Sequence, residues 1–476
     1  MATGARVAGT LVLVLSLAAG AYLTGDAHDV VPGPLTLEPS PTPPPPFPTA
    51  PGAVDAPDAE PALSDLDPQA PVPTATRIQA LVDEVATDDR LGTPSHVGVV
   101  VTDRLTGDLL GAHLPDRGRT PASTAKLVTA VAALASLPAD TTLPTRVVRA
   151  GAGTVVLVGG GDMMLAADKG DPDAVLGHAG LGDLARSVAA KLKLAGTTAV
   201  RVQWDDSLFS GPTINPDWDP ADVVAGYVAP VTPLAVQIAA TRPFRSSEDY
   251  PPRSAAPAFE AAKTFAARLE AAGITVQGTP TRGLADADAQ ELGVVRSAPL
   301  EQIVHYFLDT SDNTITEVVS RIVAVHQELP ASFEGGTQAV LRAVQQAGVD
   351  TTGAHLADAS GLARGSRLRP AMLADLVRLS TDPAEPMLRP VAIGMPIAGL
   401  TGTLADRFTR SPARGLLRAK TGSLQSVTAL SGTVVDAEGR QLVFAVLADK
   451  TGAIGQAVPR TAVDAFATRL AACGCS

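Results

Sequence analysis

The sequence predicts an α/β (α+β) fold in which an antiparallel sheet, flanked by helices, is interrupted by a large β-rich insertion. Three observations predict it. HVGVVVTD followed by GDLLGAHL reads as a hairpin turning at residues 105–108. Three successive strand runs, LLRAKTGSL, TALSGTVVD and RQLVFAVLAD, lie near the C-terminus. Helical periodicity occupies 300–305 and 314–327 and the segment PASTAKLVTAVAAL, so helices surround the strands in sequence.

The other elements follow in chain order. Residues 76–89 place Ile78, Leu81, Val82 and Val85 at helical spacing, an amphipathic helix ahead of the hairpin. In PASTAKLVTAVAAL, Ser123 falls at the helix start and Lys126 one turn later on the same face. Between about 137 and 290 come short strand-like pieces, including TVVLVGGGD and AVRVQWD, in a stretch rich in Gly, Pro and Asp. This reads as inserted domain material over 139–290, leaving 76–138 and 291–476 as one catalytic domain. Residues 459–472 are amphipathic and close the chain with a helix.

Arg6 precedes an uncharged stretch of 17 residues, 7–23, followed by Gly25 and Asp26. Residues 1–25 therefore read as a signal peptide, with Ala19, Gly20 and Ala21 as small residues at a cleavage site, or as a signal anchor barely long enough to span a bilayer. Residues 26–75 contain PTPPPPFPTAP and related runs that cannot bury a core, a Pro-rich disordered linker of polyproline type. Both features put the body outside the cytoplasm, secreted, periplasmic or in the cell-wall space. A membrane is touched only through the N-terminal segment, if that segment is retained.

With 476 residues, 45% of them hydrophobic, the chain can fill more than one core. A formal net charge of −12 offers no basic footprint for a phosphate backbone, which excludes nucleic acid as a partner. Seven histidines are scattered without HExxH or paired spacing, so no metal site, no cofactor and no histidine-based triad is expected. Gly159–Gly161 lacks the GxGxxG pattern and any following Lys-Ser/Thr that a nucleotide site needs. The only cysteines, Cys473 and Cys475, stand one residue apart, and whether they pair is left open.

Three short motifs carry chemistry. A serine at a helix start with a lysine at i+3 can act without histidine, provided the lysine is neutral when it takes the hydroxyl proton. Ser123 and Lys126 meet that spacing. Free lysine titrates near ~10.4, so burial or a second cation must lower it, and Lys420 of Lys420-Thr421-Gly422 is the candidate. Ser311-Asp312-Asn313 adds a hydroxyl able to relay a proton and an amide able to orient substrate and lysine. A lone Ser-x-x-Lys is more often an N-cap followed by a solvated lysine. Because the chain holds only seven lysines and two asparagines, the three motifs together arise by chance roughly once or twice in ten thousand. A second Lys-Thr-Gly starts at Lys450, but it follows the last closing strand and reads as a turn with a solvated side chain.

These motifs, in this order, resemble those of the serine penicillin-recognising enzymes. Longer blocks narrow the resemblance to the D-alanyl-D-alanine carboxypeptidase/endopeptidase family of low-molecular-mass class C penicillin-binding proteins, peptidase family S13. They are VLVGGGDMML, WDDSLF, DASGLAR, and GTLADR followed by LLRAKTGSLQSVTALSG, and the likeness spans about 78–470. In that family a serine β-lactamase/transpeptidase-like domain is interrupted after the Ser-x-x-Lys helix, which matches the 185 positions between Lys126 and Ser311. The chain departs from the family at Met163 and Met164, where proline and threonine are usual after GGGD.

The resemblance implies roles. Ser123 is the acylated nucleophile, Lys126 its general base, and Ser311 with Asn313 the proton relay and orienting pair. Lys420 pairs with the substrate carboxylate, Thr421 and Ser423 hydrogen-bond it, and Gly422 belongs to the same binding strand. Asp162, Arg364 and Gln425 match positions at the cleft lip that read the third residue of the stem peptide. The implied partners are peptidoglycan stem peptides and, as covalent inhibitors, β-lactam antibiotics. Carboxypeptidase and endopeptidase action stay open, since both attack a D-Ala carbonyl. A β-lactamase is the alternative enzyme, against which the long insertion argues. A catalytically silent wall-binding protein is the other alternative, against which three intact motifs argue.

Overall fold

Strand 97–103 is a near-continuous apolar run because both of its faces are covered, and its side chains alternate between two cores. Val97, Val99 and Val101 join one core while Val100 joins the other. The neighbouring strand divides the same way, with Leu442, Phe444 and Val446 on the first side and Val443, Ala445 and Leu447 on the second. The computed structural model in which this is seen describes residues 2–28, 30–31, 66–151, 153–245, 249–452 and 455–474, with side chains from residue 15 onward.

The chain divides into two units, Met1–Asp65 and Leu66–Ser476. In the first, the described backbone is the helix Ala2–Ala27. Among the described residues no helix is long and apolar enough to cross a membrane. The expected export segment falls within the helix Ala2–Ala27, with side chains described only from residue 15, while all of 32–65, most of the expected linker, lies outside the described residues.

The second unit is built on a five-stranded antiparallel sheet. Its order is Leu417–Leu424, Val427–Val435, Gln441–Ala448, Val97–Asp103, Leu109–His113, so the hairpin and the three closing strands make one surface. On one face Ile78 and Val82 of the helix Ala75–Ala86 pack beside Val463 and Phe466 of the helix Ala457–Ala471. On the other lie the helices Lys126–Ser136, Leu300–Thr310, Asn313–His326, Phe333–Gln346 and Pro370–Ser380, around Leu127, Val131, Phe307 and Val319. The helix carrying Lys126 is thus enclosed on every side, with all residues from Lys126 to Leu134 buried.

Residues 144–296 hold a separate sheet and core. Its order is Glu291–Arg296, Pro144–Arg149, Thr154–Val158, Ala199–Asp205, Thr275–Val276, with Thr281–Arg282 also on Ala199–Asp205. Thr154–Val158 and Ala199–Asp205 pair in parallel, which requires a crossover, and the helix Leu181–Leu194 supplies it. A second helix, Pro257–Ala271, packs beside it around Leu184, Val188, Phe265 and Leu269. Asp162–Leu165 pairs with Leu234–Val236 as a small ribbon. Cys473 is disulfide-bonded, and Cys475 lies outside the described residues.

Candidate active site

The backbone before Ser123 is held in an unusual shape. Ala122 sits in the left-handed region at φ 48°, and residues Ala122–Ala125 form a single 3-10 turn that leads into the helix. The Thr124 hydroxyl donates to Pro121 O at 2.7 Å, tightening this turn. Ser123 thereby reaches the cleft while Lys126, one turn on, is 0% exposed beneath its floor. Lys126 Nζ is hydrogen-bonded to Ser123 Oγ at 3.0 Å, Asn313 Oδ1 at 2.6 Å and the Ser360 carbonyl at 2.8 Å.

Ser311-Asp312-Asn313 is a junction between two helices. Leu300–Thr310 ends at Ser311, which takes a left-handed φ of 61°, a conformation a non-glycine residue adopts at some strain. Asp312 caps the next helix, its carboxylate accepting from Ile315 N at 2.8 Å. The middle residue of the motif therefore holds the backbone, while its neighbours face the cleft. Asn313 opens the helix, its Nδ2 donating to Tyr227 O at 2.9 Å, which leaves Oδ1 for the lysine.

Lys420 lies on the edge strand Leu417–Leu424 and is also 0% exposed. Its Nζ donates to Ser311 Oγ at 2.9 Å and to Thr421 O at 3.0 Å. A Cβ on Gly422 would stand 2.6 Å from Pro121 O, so glycine is what lets the strand press against the turn bearing Ser123. The Thr421 hydroxyl meets that of Thr403 at 2.9 Å. Burial pushes Lys126 down to about 8, against the upward pull of Asp358, Asp312 and Glu317. Lys420 is held well below the ordinary lysine value by burial first and then by the charge of Lys126. The site therefore holds two amines that burial disposes to be neutral.

A cleft of about 630 Å³ opens over these groups, lined by Ser123, Ser311, Asn313, Thr421 and Ser423. Arg364 and Gln425 also line it, joined by an Arg364 Nη2 to Gln425 Oε1 bond of 3.2 Å. Asp162 does not. It is 2% exposed at the start of its ribbon strand, accepts from Met164 N at 2.7 Å, and is raised by burial to about 7. Lys450 follows the strand Gln441–Ala448, is exposed, and lies away from the cleft lining. No group of His, Cys, Asp or Glu fit for a metal ion occurs among the described residues.

Several cleft residues carry no motif signal. Asp222 and Tyr227 come from the segment around the short helix Pro220–Val224, and Asp309 precedes the junction serine. Burial raises the Asp222 carboxyl, aided by Asp219 and opposed by Arg364, so an acidic and a basic group share one side of the cleft. Thr403 lies within GTLADR, a block recognisable in sequence whose link to Thr421 needs three dimensions to see. The Ser360 carbonyl, being backbone, has no sequence signal beyond its DASGLAR setting.

Comparison with known proteins places this geometry in a family. The profile of the D-Ala-D-Ala carboxypeptidase 3 (S13) family matches residues 78–248 and 246–473. A carboxypeptidase of Mycobacterium tuberculosis is 39% identical over 417 residues, covering 86% of this chain and 86% of the relative. Carboxypeptidase DacB of Mycolicibacterium smegmatis is 37% identical over 491 residues, covering 100% and 97%. The crystal structure of penicillin binding protein 4 from Haemophilus influenzae shares the fold, with a TM-score of 0.65 at 21% identity over 83% of this chain and 98% of that one. The chain belongs to the D-Ala-D-Ala carboxypeptidase 3 (S13) family.

Proposed function

We propose that this protein is a serine D-Ala-D-Ala carboxypeptidase of the penicillin-binding class, removing the terminal D-Ala of peptidoglycan stem peptides through an acyl-enzyme on Ser123. One observation carries the reading: Lys126 Nζ stands 3.0 Å from Ser123 Oγ with two further fixed acceptors around it. A neutral amine has two N–H bonds and one lone pair. With Asn313 Oδ1 and Ser360 O accepting the hydrogens, the lone pair faces the serine hydroxyl.

In the first step Ser123 Oγ bonds to the carbonyl carbon of the penultimate D-Ala as its proton passes to Lys126. The backbone N–H groups of Ser123 and Ser423 stabilise the oxyanion, each worth about 3 kcal/mol in comparable hydrolases. Collapse breaks the C–N bond, and the proton reaches the leaving amine through the Ser311 hydroxyl. The leaving D-Ala carboxylate lies against Lys420, Thr421 and Ser423. Water then hydrolyses the ester with Lys126 again as base.

The catalytic domain is expected to comprise 76–138 and 291–476, with 139–290 inserted. The separate core of the second sheet supports an insertion, but the strand Glu291–Arg296 and Leu292 belong to that sheet and core, which moves the second boundary to about 296. Peptidoglycan substrates and homologous carboxypeptidases imply a cell-wall or periplasmic location, and β-lactams are covalent inhibitors. The test is product analysis on purified muropeptides. Release of free D-Ala from pentapeptides supports the reading, and a protein that leaves every muropeptide unchanged while correctly folded overturns it.

A further inference from the structure

Beneath the Lys126 amine lie two carboxylates outside the three catalytic motifs, Glu317 and Asp358, the latter opening the DASGLAR block. Glu317 stands one turn after Asn313 on the same helix, so the two side chains share a face. Glu317 and Asp358 are both 0% exposed. Their hydrogen-bond partners are backbone and neutral groups. Glu317 Oε1 accepts from Ser360 N at 2.8 Å and Oε2 from Ala359 N at 3.3 Å. Asp358 accepts from Gly361 N at 2.7 Å, Ala363 N at 2.8 Å, the Trp218 indole at 2.8 Å and the Ser360 hydroxyl at 3.0 Å.

These bonds fix one loop, residues 358–363, from below. From another side the Thr129 hydroxyl donates to Ala359 O at 2.9 Å. Above it, a Cβ on Gly361 would come within 1.9 Å of Ala122 O, so the loop is wedged against the turn that presents Ser123. The Ser360 carbonyl consequently has one direction, and it accepts from Lys126 Nζ. Loss of that acceptor would free the amine to rotate and to donate to Ser123, the wrong sense for a base.

We propose that Glu317 and Asp358 are positioning residues for acylation: by gripping the 358–363 loop they hold the Ser360 carbonyl on Lys126 and so aim the lysine lone pair at Ser123. This rests on the reading of Ser123 and Lys126 as nucleophile and base. The charges are consistent with it. Burial, and then the neighbouring Asp358, raise the Glu317 carboxyl, and its charge, where present, favours protonated Lys126, so the two titrations are linked. Asp358, also raised by burial, is opposed by its many donors. The other charged groups felt by this cluster are Asp312, Arg321 and Lys420.

The experiment uses the full chain, with Glu317→Ala and Glu317→Gln compared for acylation by a fluorescent penicillin. Stopped-flow separates the acylation rate constant from the non-covalent dissociation constant across a pH series. Glu317→Ala is expected to slow acylation about 30-fold or more with the dissociation constant nearly unchanged. Glu317→Gln keeps an acceptor for Ser360 N–H without a charge, and should return the rate to within about fivefold of the parent. Because Gln cannot become an anion, its acid limb should also move to lower pH, a change that a merely structural glutamate would not produce. An unchanged rate in Glu317→Ala overturns the proposal, as does a Gln variant no faster than Ala. Should Glu317→Ala fail to fold, the acid limb of Glu317→Gln decides alone, and an unmoved limb overturns it. A parent protein that takes up no penicillin would instead sink the underlying reading of Ser123, an outcome visible before any variant is compared.

Discussion

Lys420 Nζ donates to Ser311 Oγ across 2.9 Å, although the two residues are 109 positions apart in the chain. The bond ties the edge strand to the junction between two helices, and the Ser311 hydroxyl is thereby oriented by a buried amine. Replacing Ser311 by Ala removes the proposed relay to the leaving amine and leaves Lys420 its backbone acceptor on Thr421. Acylation by penicillin and peptide turnover should both fall by about 10²- to 10⁴-fold, the usual worth of a positioned proton donor. Steady-state kinetics beside a thermal melt checks this, because the melting temperature should hardly change.

Position also separates the two Lys-Thr-Gly sequences. Lys126→Ala should reduce acylation by at least about a thousandfold through loss of the base. Lys450→Ala should leave it within about twofold, since an exposed side chain away from the cleft has nothing to contribute. Ser123→Ala should abolish the covalent adduct with the fold intact, as judged by circular dichroism. Similar losses at Lys126 and Lys450 would mean that the site had been misplaced.

Much of this arrangement was legible in the sequence because the motifs sit on elements with strong local signals. Ser123 and Lys126 are one helical turn apart, Ser311-Asp312-Asn313 interrupts two amphipathic helices, and Lys420 lies on the first of three successive strand runs. The crossover helix Leu181–Leu194 and the helix Pro257–Ala271 were not legible within a stretch read as strand-rich. Gly, Pro and Asp in the surrounding loops dominate that composition and mask the periodicity of the two helices. Asp162 illustrates a different limit. A matched block supplies its identity, but whether the carboxylate faces a cleft or a core depends on the partner strand Leu234–Val236, which no local pattern announces.

The lowered pKa of Lys126 sets the pH dependence of acylation. The amine must be neutral to accept the Ser123 proton, and its value is about 8. The rate should therefore rise with pH and level off above that value, falling about tenfold per unit on the acid side. A profile of the acylation rate constant against pH measures this directly. A flat profile from mildly acidic to mildly alkaline conditions would exclude Lys126 as the titrating base.

Asp162 bears on stability rather than on turnover. Its folded-state value, about 7 against an ordinary 3.8, means that the native protein binds a proton the unfolded chain has released between those limits. Stability from this group is thus present at low pH and lost as pH rises through that window, by roughly 4 kcal/mol at most. Asp162→Asn keeps an acceptor for Met164 N and removes the buried charge. The variant should melt higher than the parent at pH 8, show no gain at pH 4, and acylate at the parent rate, as melts at both values and one kinetic assay will show.

Penicillin offers the sharpest separation of a peptidase from a β-lactamase. Its strained amide and adjacent carboxylate mimic an acyl-D-Ala-D-Ala end, so Ser123 should open the ring while Lys420 and Thr421 hold the carboxylate. The ring nitrogen remains covalently tethered to the acyl group and cannot diffuse away, so it obstructs the approach of water to the ester. A β-lactamase overcomes this with a glutamate that activates the water, and no glutamate lines the cleft among the described residues. Glu317 is the nearest candidate by chemistry, yet it is fully buried and committed to two backbone N–H groups. The adduct should therefore persist far longer than an ordinary turnover, which takes a fraction of a second at a median rate of about 10 per second. Incubation with excess benzylpenicillin, digestion and mass mapping should locate the added mass on the peptide containing Ser123. Its decay after dilution should extend over many minutes, whereas loss within seconds together with rapid penicillin hydrolysis would identify a β-lactamase.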